Sequence, residues 1–264
     1  MEATLPKPLF DDEYDDYEDA ASYGPRTWFD QFTSDGLITN VLMPLKSGKE
    51  ASVYLCRANR STTGADLLAA KAFRPRQSRG FKNRSRYREG VVITEARVRR
   101  AVQNGSRFGR IVDEAIWRNH EFETLEALSA AGADVPAPVA SAADGILMQY
   151  VGDAESPAPQ LRDVELDRAE ALAAFDRLLW NVDLFLANNV IHADLSPYNV
   201  LYWEGRVTII DLPQAVDART NPNARALLAR DLENLCRHFA RQGVHRNAEA
   251  LAGDLWRRFL FAKL

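Results

Sequence analysis

The segment Ile191-His192-Ala193-Asp194-Leu195-Ser196-Pro197-Tyr198-Asn199 has the form HxDxxxxN and lies between a helical stretch and a short apolar run. An aspartate at a loop tip can orient an attacking hydroxyl and accept its proton. An asparagine five residues on can turn its amide oxygen toward a metal carried by a nucleotide. Twelve residues after Asn199, Asp211 ends the apolar run 207–210. A carboxylate at a strand end is well placed for a Mg²⁺ ion that bridges phosphates. The chemistry these three residues serve together is phosphoryl transfer. His192 is expected to be structural, a histidine packed at the turn.

Lys71 stands in the middle of the apolar run 67–73. A strand lysine usually faces solvent, and one aimed into a core needs a partner. Glu121, on the helical stretch that follows, can supply that partner, although Glu114, Glu123 and Glu126 share the helix and most of these must be solvated. Upstream, Ser47-Gly48-Lys49-Glu50-Ala51-Ser52-Val53-Tyr54 joins two apolar runs and is neither GxGxxG nor a P-loop. Its backbone N–H groups and Lys49 can approach a triphosphate, or it can be a plain hairpin turn.

Positioning these residues takes a meander and a set of helices. Runs 37–45, 53–56 and 67–73 read as three strands, with the polar turn 61–66 between the last two. Apolar residues at helical spacing, Val112 through Leu128, predict a helix ending near Gly132. Pro136 and Pro138 break the chain before a short strand at 146–151, and Gly152 with Pro157 and Pro159 reads as the connector between two lobes. Beyond it, Leu172 through Leu186 mark a long helix, short strands follow near 190–191 and 207–210, and helices near 223–241 and 246–261 complete the pattern.

The 264 residues carry a net charge of −4 and are 46% hydrophobic and 27% charged, a composition that suits a soluble enzyme and a cytoplasmic setting. No apolar run approaches a membrane helix, and no signal peptide opens the chain. Cys56 and Cys236 show no CxxC or Cys/His spacing, which argues against a zinc site or a disulfide scaffold. Seven acids occupy the nine positions 11–19, so residues 1–24 are expected to form a disordered acidic tail. From Arg74 to Arg110 twelve Lys/Arg face two acids. Such a basic block suits RNA, a phosphorylated ligand or the tail itself, or is simply a solvated face.

In this order, SGKEASVY, Lys71, HADLSPYN at 192–199 and IDLPQ at 210–214 resemble the RIO family of atypical protein kinases, over about residues 36–241. HADLSPYN is more like the Rio1 branch and IDLPQ more like the Rio2 branch, a mixture that suits a prokaryotic member. The resemblance implies an α+β, trimmed two-lobed kinase-like fold, with a small antiparallel sheet lobe at 25–151, a mainly helical lobe at 152–264, and ATP with Mg²⁺ or Mn²⁺ in the cleft. Carried over, Asp194 is the catalytic aspartate and Asn199 and Asp211 hold metal. Ser47, Gly48, Lys49, Glu50 and Val53 cover the nucleotide, and Lys71 contacts phosphate with Glu121 as its partner. Met148 is the gatekeeper, Gln149 and Val151 offer backbone hydrogen bonds to adenine, and Leu201 lies under the ring.

Departures from ordinary protein kinases shape the remaining expectations. Ala193 replaces the Arg of HRD, Leu212-Pro213 replaces Phe-Gly, and Ser196 stands where a lysine would sit beside the γ-phosphate. One positive charge is missing, so Lys49 or an arginine such as Arg84, Arg86 or Arg88 would have to compensate. With 53 residues after Asp211 and no APE-like segment among them, peptide docking of the usual kind is not expected. The leading reading is ATP-dependent transfer to a Ser/Thr hydroxyl of a protein or of the chain itself, or ATP hydrolysis as a conformational switch. A small-molecule kinase of the aminoglycoside or choline kinase type and a nucleotide-gated module on RNA or a ribosomal particle are the alternatives. No membrane partner is expected, and the oligomeric state is not specified by the sequence.

Overall fold

A computed structural model describes residues 27–48, 50–74, 100, 104 and 106–263. Helix α1 (Thr27–Ser34) is followed by β1 (Ile38–Ser47), β2 (Ala51–Ala58), the one-turn α2 (Arg60–Thr63) and β3 (Leu67–Phe73). Helix α3 (Arg107–Ala130), β4 (Pro138–Ala142) and β5 (Gly145–Gln149) complete a five-stranded antiparallel sheet of order β1-β2-β3-β5-β4. Helix α4 (Arg168–Ala187) leads into β6 (Val190–Ile191), β7 (Val200–Trp203), β8 (Arg206–Ile209) and β9 (Val216–Asp217), and α5 (Ala224–Ala240) and α6 (Ala248–Leu260) follow. This is the expected α+β arrangement of a sheet region and a helical region.

Side chains alternate between the two faces of the sheet. Tyr54, Cys56, Ala70 and Leu147 pack under Trp28 and Phe32 of α1. Phe73 and Ile146 turn the other way and join the larger core, which runs without a break through Leu125 and Leu128 of α3 into α4 and α5. The two regions therefore share one core across the cleft.

Several elements differ from the sequence-based expectations, among them the short strands β7 and β9, which had not been expected. The polar turn after β2 contains α2, whose single turn forms because Asn59 caps it and Gly64 closes it at φ 72°. Pro138 opens β4 rather than breaking the chain, which an edge strand's first residue tolerates because its missing N–H faces no partner strand. Helix α1 was not anticipated, because eight residues are too few for periodicity to declare itself. The expected acidic tail at 1–24 lies outside the described residues.

The connector after β5 is a tight turn. Asp153 Oδ1 accepts from the N–H groups of Glu155 and Ser156, both at 2.8 Å, and Asp153 N–H donates to Ser156 O. Gly152 holds φ 137°, and a Cβ there would lie 2.6 Å from Ser156 O and 2.7 Å from the Tyr150 hydroxyl, so the turn requires glycine.

Candidate active site

Helix α4 starts at a capping box, in which Asp167 accepts from the N–H of Glu170 and the Glu170 carboxylate accepts from the N–H of Asp167. Its C-terminus delivers the chain through β6 to the loop His192-Ala193-Asp194-Leu195. His192 is 2% exposed and donates from Nε2 to Ile210 O at 3.1 Å. Burial holds its pKa below the ordinary histidine value, and its buried bond to the backbone gives it the structural role expected. Ala193 sits at φ 62°, a left-handed conformation that a non-glycine residue adopts only when its surroundings enforce it.

Those surroundings are side chains of α5. Asp231, 2% exposed, accepts from Ala193 N–H at 2.8 Å and from Leu195 N–H at 3.1 Å, on either side of Asp194. Arg230 donates to Ala193 O and Asn234 to Leu195 O. The backbone flanking Asp194 is thereby held on all four polar groups, while the Asp194 side chain projects into solvent. Burial pushes the Asp231 carboxyl up to about 7, against the pull of Arg230 and the two N–H groups. Sequence reasoning missed this clamp. Its signal was a carboxylate on the stripe Leu227, Leu228, Leu232 and Leu235, a helix face otherwise buried.

Asn199 is buried, and its Nδ2 donates to Asp194 O at 2.9 Å and to Asp194 Oδ2 at 3.3 Å. With the amide nitrogen so committed, the oxygen is the atom left for a cation. Asn199 O accepts from Ile210 N–H at 2.9 Å, so Asn199 and His192 together fix the residue that precedes Asp211. Asp211 takes φ 69°, a second left-handed non-glycine residue in the site.

Lys71 reaches Glu121 Oε1 at 2.5 Å and Asp211 Oδ1 at 2.6 Å. The pairing with Glu121 is the expected one, and the direct contact with Asp211 is additional. Burial opposes charge on Lys71, yet the two carboxylates outweigh it and raise its pKa. Burial and the nearby Asp211 raise that of Glu121. At Asp211 burial is outweighed by Lys71, helped by Lys46, and the carboxyl is held below its ordinary value. Next to Glu121 on α3, His120 Nε2 donates to Ala215 O at 2.9 Å, tying the helix to the segment after Asp211.

Across the cleft, the flap at 47–52 joins β1 to β2. Gly48 N–H donates to Ala51 O, and Arg74 N–H donates to Glu50 O. The Arg74 guanidinium donates to Ser47 Oγ at 2.6 Å and lies 3.5 Å from Ser52 Oγ. Val53 pairs with Lys71 in register. Lys49 lies outside the described residues, as do Arg84, Arg86 and Arg88. At the other end of the cleft, Met148 packs against the larger core, Gln149 N–H donates to Ala137 O, and Val151 O accepts from Ala158 N–H. Leu201 lies on β7, bridged to Gln160.

A RIO domain profile matches residues 52–251. The chain is similar to the RIO-type serine/threonine-protein kinase Rio1 of Thermoplasma acidophilum, with 33% identity over 58% of this chain and 82% of that one. It is also similar to Rio1 of Haloferax volcanii, with 30% identity over 90% of this chain and 74% of that one. Among solved structures, a Rio2 kinase-ADP/Mg²⁺-phosphoaspartate complex from Chaetomium thermophilum superposes with a TM-score of 0.60 at 19% identity, covering 89% of this chain and 69% of that one.

Proposed function

The chain belongs to the RIO domain family, and from that premise we propose that it transfers the γ-phosphate of ATP to a seryl or threonyl hydroxyl, with Asp194 as the base. The observation that carries this reading is the clamped loop. An exposed carboxylate whose own backbone is held by Asp231, Arg230, Asn234 and Asn199 is pre-set to receive a hydroxyl proton. Lys71 can turn from Asp211 to a phosphate oxygen while keeping Glu121, which retains its orientation.

The Rio2 structure holds ADP and Mg²⁺, and we carry both the nucleotide and the ion over to this cleft. Asp211 and the Asn199 amide oxygen are hard oxygen donors that suit Mg²⁺, which takes one or two protein ligands and fills its shell with water and phosphate oxygens. The described residues contain no group of three or more His, Cys, Asp or Glu side chains that could hold a metal ion, as a zinc site would require. Bound there, Mg²⁺ would neutralise charge on the phosphates. The assigned roles of the flap, Met148, Gln149, Val151 and Leu201 around the adenine are part of the same proposal.

A second acceptor has its own support. The Rio2 complex contains a phosphoaspartate, so an aspartate of this chain, Asp194 or Asp211, can be the first acceptor in an ATP-hydrolysing switch. Incubation with γ-labelled ATP and a cell extract decides between the two. Acid-stable label on Ser/Thr supports the kinase reading, hydroxylamine-labile label on the chain with release of labelled inorganic phosphate supports the switch, and label on an organic small molecule contradicts both. An RNA or ribosomal-particle partner through residues 74–110 remains a proposal, since most of that block lies outside the described residues. Nucleotide-dependent RNA binding that weakens steeply with salt is its test. Among the described residues no helix is long and apolar enough to cross a membrane.

A further inference from the structure

Lys46 lies near the end of β1, where it pairs with Val53, as Val53 pairs with Lys71 and Lys71 with Ile146. Residues directly opposite one another on antiparallel strands place their side chains on the same face. The row Lys46, Val53, Lys71 and Ile146 therefore shares the face from which Lys71 reaches Glu121 and Asp211. The opposite face is the one covered by α1. Lys46 is exposed, and its charge acts on Asp211 across the cleft.

The charge balance of the cleft gives that placement a consequence. Ser196 supplies no cation beside Asp194, and Lys71 is shared by two carboxylates. Among the described residues, Lys71 is therefore already committed to Glu121 and Asp211 when a triphosphate enters, and the exposed Asp194 adds a further negative charge. We propose that Lys46 is a second phosphate-binding cation of the nucleotide cleft, reaching the terminal phosphates from the sheet side. Arg74 supports it from the outer face, because its bond to Ser47 fixes the backbone next to Lys46. The inference rests on the nucleotide-binding reading given above.

The test compares ATP, ADP and AMP, each titrated with Mg²⁺ present into the full-length wild type, Lys46→Met and Lys46→Arg by calorimetry. Lys46→Met is expected to weaken ATP roughly tenfold and leave AMP unchanged, with Lys46→Arg restoring most of the loss and high salt shrinking the difference. The melting temperature should not move, because the side chain is exposed. ATP binding by Lys46→Met equal to wild type overturns the proposal. Equal losses for ATP and AMP overturn it too, since they indicate a general change in the pocket. Failure of the wild type to bind any of the three removes the reading of the cleft and this inference with it.

Discussion

Asp194 and the flap at 47–52 face the same cleft from opposite sides, and they are held by different means. The loop that carries Asp194 is fixed by the buried side chains of Asp231, His192 and Asn199. The described part of the flap is held by two backbone hydrogen bonds and by the Arg74 guanidinium on serine hydroxyls, with Ser47 exposed. A group that must meet a reacting hydroxyl within a fraction of an ångström gains from rigid support. A cover that admits and releases a nucleotide gains from contacts that break readily in water. The division of labour follows burial more than hydrogen-bond number.

The largest expected effect is on the rigid side. Asp231→Ala leaves the N–H groups of Ala193 and Leu195 without their acceptor and removes the carboxylate 3.9 Å from Arg230, at a cost of about 3 kcal/mol. Calorimetry should show the melting temperature falling roughly 6–12 °C for a chain of this size. An unchanged melting temperature would erase the contrast between loop and flap. Next, Lys71→Met, which removes the shared cation of the cleft, should lower ATP turnover about 10²-fold in a steady-state assay.

The pH dependence sharpens the same contrast. The Asp231 carboxyl is pushed up to about 7 in the folded protein from 3.8. Its contribution to stability is full below 3.8, falls progressively as pH rises from there to about 7, and is lost above, where the buried group ionises as well. The stability of wild type relative to Asp231→Asn should therefore decline from about pH 4 to about pH 7 and level off above it in thermal melts. The smallest effect belongs to the flap. Arg74→Ala should raise the KM for ATP about two- to fivefold and shift stability by no more than about 0.5 kcal/mol. A loss of stability as large as that of Asp231→Ala would show that the flap is as rigidly held as the loop.

The same division explains what could be read from the residues in order. His192, Asp194 and Asn199 fall within eight positions, and Asp211 follows closely, so their chemistry shows in spacing alone. Lys71 and Glu121 are 50 positions apart, and their pairing was legible because a charge inside an apolar strand requires a partner. Asp231 is 38 positions from Ala193 and looks like any helical acid until its stripe is seen to be buried. The Lys71 to Asp211 contact spans 140 positions and depends on how the sheet and the helical region meet. Strands β2 and β3 were legible from their apolar runs. Edge strand β4 was hidden by Pro138, and α1 by its length.

The central claim is that Asp194 is the base, pre-set by its clamp. Asp194→Asn keeps the shape of the side chain and leaves the clamp on its backbone intact, so it should bind ATP as wild type does. In a single-turnover assay with γ-labelled ATP, phosphoryl transfer by this variant should fall about 10³-fold. Transfer at the wild-type rate, with ATP affinity unchanged, would contradict the account.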